Sequence, residues 1–298
     1  VNPLKQSNEN QPDGDTPSGL ALAILVYFLW GFLPLYMKLL SHVPPLEVVA
    51  HRIIWSVPLA GMVLIFLGRT KELRAAITNP RMLAMAAVTA ALVSINWAIY
   101  VWAVTSGNAL EAALGYYINP LFSVFLGAVL LRERLKKLQW AAIALACAAV
   151  LVLTIDAGKL PITALGLTAS WGFYAFFKKS LPIGPNQGFM LEVLILAVPS
   201  LGYWMWAEQN GSSHFQSDIW LLLGCGIVTA FPLMIYANAA KRLRLTTIGI
   251  LQYIAPTIIL LVAVFGFKEP FGQARTIAFP MIWAALVLYS ISMYRQRK

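Results

Sequence analysis

Few side chains in this sequence could carry charge or move protons, and the informative ones sit inside apolar stretches. His51 and Arg52 fall about two turns into an apolar run that begins near residue 45, and Glu192 lies at similar depth in a run that begins near residue 187. A charge at the centre of a membrane-spanning helix costs about 2.5–3.5 kcal/mol, so such residues are functional candidates by default. Glu192 and His51 are expected to bind protons or substrate charge, because burial and a nearby opposite charge together set the ionisation of such groups. The competing reading is that each is satisfied by a neighbour or snorkels to the interface. Arg52 is expected to be a structural partner, to Glu47.

A second group is aromatic and amide-bearing. Asn96 and Trp97 lie one turn from Tyr100, so the three share a helix face. Tyr236 and Asn238 lie in a later apolar run; Tyr116, Asn119 and Gln252 lie beside prolines inside such runs; Trp30 and Trp171 belong to two further runs. Aromatic walls with a few hydrogen-bonding groups suit small amphiphilic molecules or organic cations. Trp and Tyr also form interfacial belts, which is the reading given to Tyr203, Trp204, Trp206 and Trp220 near run ends. No zinc-binding His-Glu-x-x-His, no phosphate loop and no Gly-x-Ser-x-Gly elbow occurs, so no catalytic residues, metal or cofactor are assigned. A membrane-embedded enzyme would need Glu111, Glu192 and His51 on a shared face, which their spacing does not provide.

Positioning these groups requires helices that cross hydrocarbon. Of 298 residues, 59% are hydrophobic and 11% charged, far from an ordinary soluble domain. Ten runs approach the roughly 20 residues that span a bilayer: residues 19–40, 45–67, 82–105, 109–131, 138–155, 161–180, 187–206, 217–239, 245–266 and 273–293. Polar residues 1–18 read as a tail and 295–298 as a short basic tail. The net charge of +10 is spread over short loops rather than one face, so nucleic acid is excluded as a partner; the partners are the lipid bilayer and a small-molecule substrate. All but five of the 22 basic residues follow even-numbered runs or lie at the termini, which places both termini in the cytoplasm. Cys147 and Cys225 read as buried free thiols.

The chain repeats. Trp30-Gly31-Phe32 meets Trp171-Gly172-Phe173 at an offset of about 141 residues, while Tyr117, Ile118, Pro120 and Glu133 meet Tyr253, Ile254, Pro256 and Glu269 at about 136. Five spans per half is odd, so the second half lies upside down. Inverted repeats characterise secondary transporters, whose site lies near midplane and whose access alternates. Here residues 19–155 are expected to rock against 161–294. Pro120 and Pro256 each remove a backbone donor, so both helices are expected to be broken at matching depth beside the site.

The stretches Glu47 to Ser56, Asn96 to Val104, Gly115 to Leu121, Arg242 to Leu245 and Gln252 to Thr257 together resemble the drug/metabolite transporter superfamily, in particular the RarD group of bacterial EamA-type permeases. The resemblance implies two EamA repeats, ten helices, the bacterial inner membrane and export of small molecules such as amino acids, with RarD members named for chloramphenicol sensitivity. It also implies that spans three, four, eight and nine line a central cavity, with Asn96, Tyr100, Tyr116, Asn119, Tyr236 and Gln252 near substrate, and that Glu133 and Glu269 match the acidic residue closing the fourth helix of each repeat. Ala255 and Thr257 replace the Asn and Leu of the first repeat, so substrate contacts need not be symmetric.

Overall fold

A computed structural model describes residues 16–130, 135–240, 242–243 and 245–295, and every regular element among them is helical. The helices are α1 (Pro17–Leu39), α2 (Pro45–Phe66), α3 (Thr70–Ile77), α4 (Pro80–Thr105), α5 (Ala109–Leu130), α6 (Lys137–Ala157), α7 (Ile162–Ser180), α8 (Pro185–Gln209), α9 (Ile219–Ala240), α10 (Leu245–Leu251), α11 (Ile254–Leu261) and α12 (Gly272–Arg295). Eight are long and apolar enough to cross a membrane; the 19-residue α7 and the composite of α10, α11 and a π-helix over Val262–Gly266 run beside them. This is an all-α membrane protein. The first helix starts at Pro17, its entry capped by the Thr16 hydroxyl, which accepts from Gly19 N at 3.1 Å. Residues 1–15 and 296–298 of the expected tails, and Glu133, lie outside the described residues.

Residues 68–81, between the second and third expected runs, contain the short amphipathic helix α3, which packs on α8 through buried Ala76. Two expectations are corrected. Cys147 is exposed, while Cys225 is buried. The two proline sites also differ: α5 is continuous through Pro120, as α1, α2, α8, α9 and α12 are through their own prolines, whereas the ninth span is interrupted at Gln252–Tyr253, just ahead of Pro256. In lipid an interior proline is tolerated wherever local adjustment or neighbours re-satisfy the backbone. At the second site Thr257 N (3.2 Å) and its hydroxyl (2.7 Å) both donate to Tyr253 O.

Loops that follow odd-numbered spans meet at one end: His42 bonds Asp218 at 3.0 Å, and the Glu47 carboxylate accepts from His214 N at 2.6 Å. At the other end Gln187 donates to Glu72. The chain therefore alternates direction, and the halves are inverted.

The halves are not separate bodies. The broadest packing runs between them: α6 with α12, α5 with α7, α2 with α9, α2 with α8, α4 with α7, and α1 with α9 and α11. Each contact either maps onto itself or has a counterpart when the halves are exchanged. Two bundles result, each with two spans from either half: α1, α2, α9 and α11 form the first, and α4, α5, α7 and α8 the second, with α6 and α12 paired outside. A motion of residues 19–155 against 161–294 would have to tear these seams.

Close approach at the seams depends on glycine. A Cβ on Gly31 would stand 2.6 Å from Ile258 Cβ, and one on Gly172 would strike the Phe122 ring; Gly31 and Gly172, like Phe122 and Ile258, are repeat mates. Gly61, by contrast, is only in ordinary contact with Met190, and its mate Gly202 faces open space. Helices in lipid gain little by hiding from hydrocarbon, so such small-residue seams carry association. Gly31→Ala and Gly172→Ala are expected to destabilise by about 1–3 kcal/mol, and Gly202→Ala to stabilise by up to about 1 kcal/mol. Thermal unfolding in detergent reads both signs; a Gly31→Ala midpoint equal to or above that of the parent would refute the seam.

Candidate functional site

A cavity of about 150 Å³ lies between the two bundles. The first bundle lines it with Tyr27, Trp30 and Leu33 from α1, Arg52 from α2, Val228, Thr229, Leu233 and Tyr236 from α9, and Gln252, Ala255, Pro256 and Ile259 from the broken ninth span. Asn96, Trp97 and Tyr100 from α4, Tyr116 and Asn119 from α5, and Trp171 from α7 form the opposite wall. Since a water needs about 10–15 Å³ on this measure, the space suits a molecule of on the order of ten non-hydrogen atoms.

The aromatic residues are interlocked. Tyr236 packs at 5.5 Å from Trp30 and 6.2 Å from Tyr27, and Tyr100 at 5.9 Å from Tyr116. Asn96 is consumed by its own bundle: its amide donates to Leu167 O (3.2 Å) and Ser170 Oγ (3.0 Å), and its oxygen accepts from the Tyr116 hydroxyl (3.3 Å). It fixes α4 against α7 and α5. Asn119 Oδ1 and the Tyr100 hydroxyl are buried with no hydrogen-bond partner.

Of the residues expected to touch substrate, Trp30, Asn96, Trp97, Tyr100, Tyr116, Asn119, Trp171, Tyr236 and Gln252 line this cavity. Asn238 does not. It sits two positions beyond Tyr236, roughly 200° around the helix, exposed, with its amide donating to Met234 O of its own helix at 2.9 Å.

The charged candidates are rearranged as well. Glu192 is 1% exposed and accepts from Lys178 Nζ (2.6 Å), the Thr89 hydroxyl (2.6 Å) and the Tyr174 hydroxyl (3.3 Å), a network wholly inside the second bundle that ties α8 to α4 and α7. His51 accepts at Nδ1 from Trp55 Nε1 (3.1 Å) and is enclosed by Trp204 at 5.3 Å and Phe215 at 5.2 Å, with Nε2 unpartnered. Neither residue lines the cavity. They occupy opposite ends of the molecule, as inversion of equivalent positions requires. Trp204 is thus a wall around His51, while Trp206 and Trp220 are exposed near the ends of their spans.

Arg52 is the residue that the sequence reading misplaced. Glu47 spends its carboxylate on His214 N and Nδ1 (2.6 and 2.8 Å) and on the Ser213 hydroxyl (3.5 Å), all on the connection between α8 and α9. Arg52 lies five positions beyond Glu47 on the helix, so the two do not share a face, and that spacing was the available signal. Arg52 turns instead into the cavity.

Among the described residues, polar contacts that cross between the bundles are few, although α2 packs broadly on α8 across the divide. Tyr117, stacked at 6.5 Å on its repeat mate Tyr253, donates to Thr257 Oγ1 at 2.6 Å, since the Thr257 proton is given to Tyr253 O. At the end that carries the odd-span loops, the Glu269 carboxylate caps the start of α5, accepting from Ala109 N (2.8 Å) and Leu110 N (2.9 Å). The acidic residue that closes the ninth span therefore locks it to the opposite bundle.

Comparison with known proteins agrees with this architecture. The chain is 41% identical over 290 residues to the uncharacterized transporter YojE of Bacillus subtilis (strain 168), covering 95% of this chain and 97% of that protein. Protein RarD of Escherichia coli (strain K12) is 38% identical over 288 residues, covering 95% and 97%. A crystal structure superposes with a TM-score of 0.59 over 94% of this chain and 99% of the other at 20% identity, a likeness of fold alone. The profile of the EamA-like transporter family matches twice, over residues 17–155 and 159–291. With two family repeats laid head to tail around one shared cavity, this chain belongs to the EamA-like transporter family.

Proposed function

We propose that the protein is an inner-membrane carrier that exports a small metabolite, an amino acid or a comparably small amphiphilic compound, by alternating access, with both termini on the cytoplasmic side. The observation that carries this reading is the position of the cavity between two bundles that are each tied internally by buried polar groups. Glu192, Lys178, Thr89, Tyr174 and Asn96 bind the second bundle, and the Tyr36 hydroxyl on Leu221 O ties α1 to α9 in the first. Few polar bonds span the gap. Bodies tied internally by polar bonds, and joined to each other by few such bonds and by the packing of α2 on α8, are suited to rocking around a midplane site as those two helices slide on one another. The moving units are the mixed bundles rather than the two repeats, and the Tyr117–Thr257 and Glu269–α5 contacts are the latches. With no nucleotide-binding sequence, transport follows a gradient. Glu192 and His51 lie off the cavity, which favours a carrier moving substrate down its own gradient over proton-coupled multidrug efflux.

Counterflow of a labelled amino-acid panel and chloramphenicol in proteoliposomes tests the reading, with and without a pH gradient. Trp30→Ala and Trp171→Ala should each cut counterflow about tenfold or more, the factor that accompanies about 1.4 kcal/mol of lost contact, whereas Trp206→Ala, 56% exposed and outside the cavity, should leave it intact. Equal rates in all three would remove the cavity from the transport path. Tyr117→Phe and Thr257→Val delete the same bond between the bundles, and Thr257→Val also removes the bond to Tyr253 O, so adding Tyr117→Phe to Thr257→Val should change the rate no further; additive effects would mean that the bond is no latch. An imposed pH gradient should not drive flux. Glu192→Gln should lower the unfolding midpoint, since breaking a buried pair costs about 3–5 kcal/mol at full burial and less here, with Lys178 22% exposed. Flux that follows the pH gradient and is abolished in a stably folded Glu192→Gln variant would restore the proton-coupled reading.

A further inference from the structure

The cavity contains one permanent charge that the protein leaves unanswered. Arg52 is 4% exposed, and among the described residues no carboxylate lies within ion-pair distance of it. Its Nε donates to Thr229 Oγ1 at 2.9 Å, its guanidinium carbon lies 5.0 Å over the Trp97 ring, and Nη1 is buried with no hydrogen-bond partner. Thr229 gives its own proton to Cys225 O at 2.7 Å, so its oxygen is held as an acceptor toward Arg52. The guanidinium is thus aimed by a dedicated partner and braced on an aromatic face, with part of its planar fork unused. A buried cation held in this way is costly unless something pairs with it.

The repeat shows that packing does not demand this charge. Arg52 has Val193 as its mate, and Thr229 has Val93; both valines are buried. An interior position of the same fold is therefore filled on one side by two apolar residues and on the other by an anchored cation. The cavity residues Trp30 and Trp171, and Tyr100 and Tyr236, are matched across the repeat. These two aromatic pairs are kept across the repeat and the charge is not.

We propose that Arg52 is the carboxylate-reading pole of the transport cavity, so that substrates carry an organic carboxylate bound in a single orientation against the first bundle. This rests on the transport reading of the same cavity. A planar guanidinium matches a carboxylate in two parallel hydrogen bonds. The unpartnered Tyr100 hydroxyl lines the same space and supplies a further donor, while the buried Asn119 oxygen accepts from a donor elsewhere on the substrate. Aromatic walls favour an organic anion over a strongly hydrated inorganic one. An organic cation, welcome to the aromatic rings alone, is repelled.

The test uses proteoliposome counterflow of leucine, methionine and phenylalanine alongside their amides, their decarboxylated amines and the matching carboxylic acids without the amino group. The parent protein is expected to exchange compounds that bear a carboxylate at least tenfold faster than their amides or amines. Arg52→Gln should erase that preference, with Arg52→Lys retaining part of it, because charge survives and the planar fork does not. Since removal of an unpaired buried charge relieves the fold, the unfolding midpoint of Arg52→Gln should equal or exceed that of the parent, whereas a purely structural arginine would lower it and slow all compounds alike. If Arg52→Gln does not fold, Thr229→Val, which keeps the charge but frees it, should narrow the preference. Amides and amines that move as fast as the acids, or a carboxylate preference unchanged in Arg52→Gln, would overturn the assignment and leave the carrier reading standing. If nothing in the panel moves, both fall.

Discussion

Hydrocarbon gives apolar helices no reason to hide from it, and the protein depends on what replaces that driving force. Association must come from close packing and from polar groups that find partners inside the bundle. Both are arranged across the two halves. Gly31 admits Ile258 and Gly172 admits Phe122, so the helices that approach most closely belong to different repeats. Internal pseudo-symmetry thus produces one interleaved bundle pair, and neither half keeps a complete set of packing partners alone.

Polar groups follow the same division. The Glu192 carboxylate finds all its partners within one bundle, in Lys178, Thr89 and Tyr174. A buried polar cluster with every member satisfied holds its helices in one geometry. Between the bundles, beside the packing of α2 on α8, the polar contacts are sparser and of a different kind: one hydroxyl bond beside the stack of the repeat mates Tyr117 and Tyr253, a carboxylate on a helix start and a guanidinium over an indole. These can be exchanged without leaving a set of buried groups bare, so the division of bonds is also a division between what stays rigid and what can move.

Two aromatic pairs of the lining, Trp30 with Trp171 and Tyr100 with Tyr236, obey the pseudo-symmetry of the repeats, and the polar chemistry departs from it. Arg52 with Thr229 has Val193 with Val93 as its counterpart, and Asn119 has Ala255. A frame that serves two opposite orientations therefore carries a site with one polarity. The interruption at Gln252–Tyr253 follows the same pattern, since α5 passes Pro120 unbroken. Proline alone is a weak signal in lipid because neighbouring groups repair its missing bond; the combination with the Thr257 hydroxyl returning to Tyr253 O is what accompanies the break.

Much of this was legible in the chain itself. Long apolar runs dictate spanning helices, since no other open structure satisfies its backbone in lipid, and an odd number of spans per repeat dictates inversion. The aromatic residues beside Asn96 and Asn119 could be grouped because helix periodicity and the repeat offset put them at matching depth. What periodicity cannot give is which way each helix turns, because a helix apolar on every side carries no stripe to orient it. Tertiary structure alone decided that Asn238 faces outward, that Glu192 and His51 are enclosed at opposite ends, and that Arg52 faces the cavity. It also decided which helices move together, because seams between repeats are set by contacts far apart in the chain that no local pattern encodes.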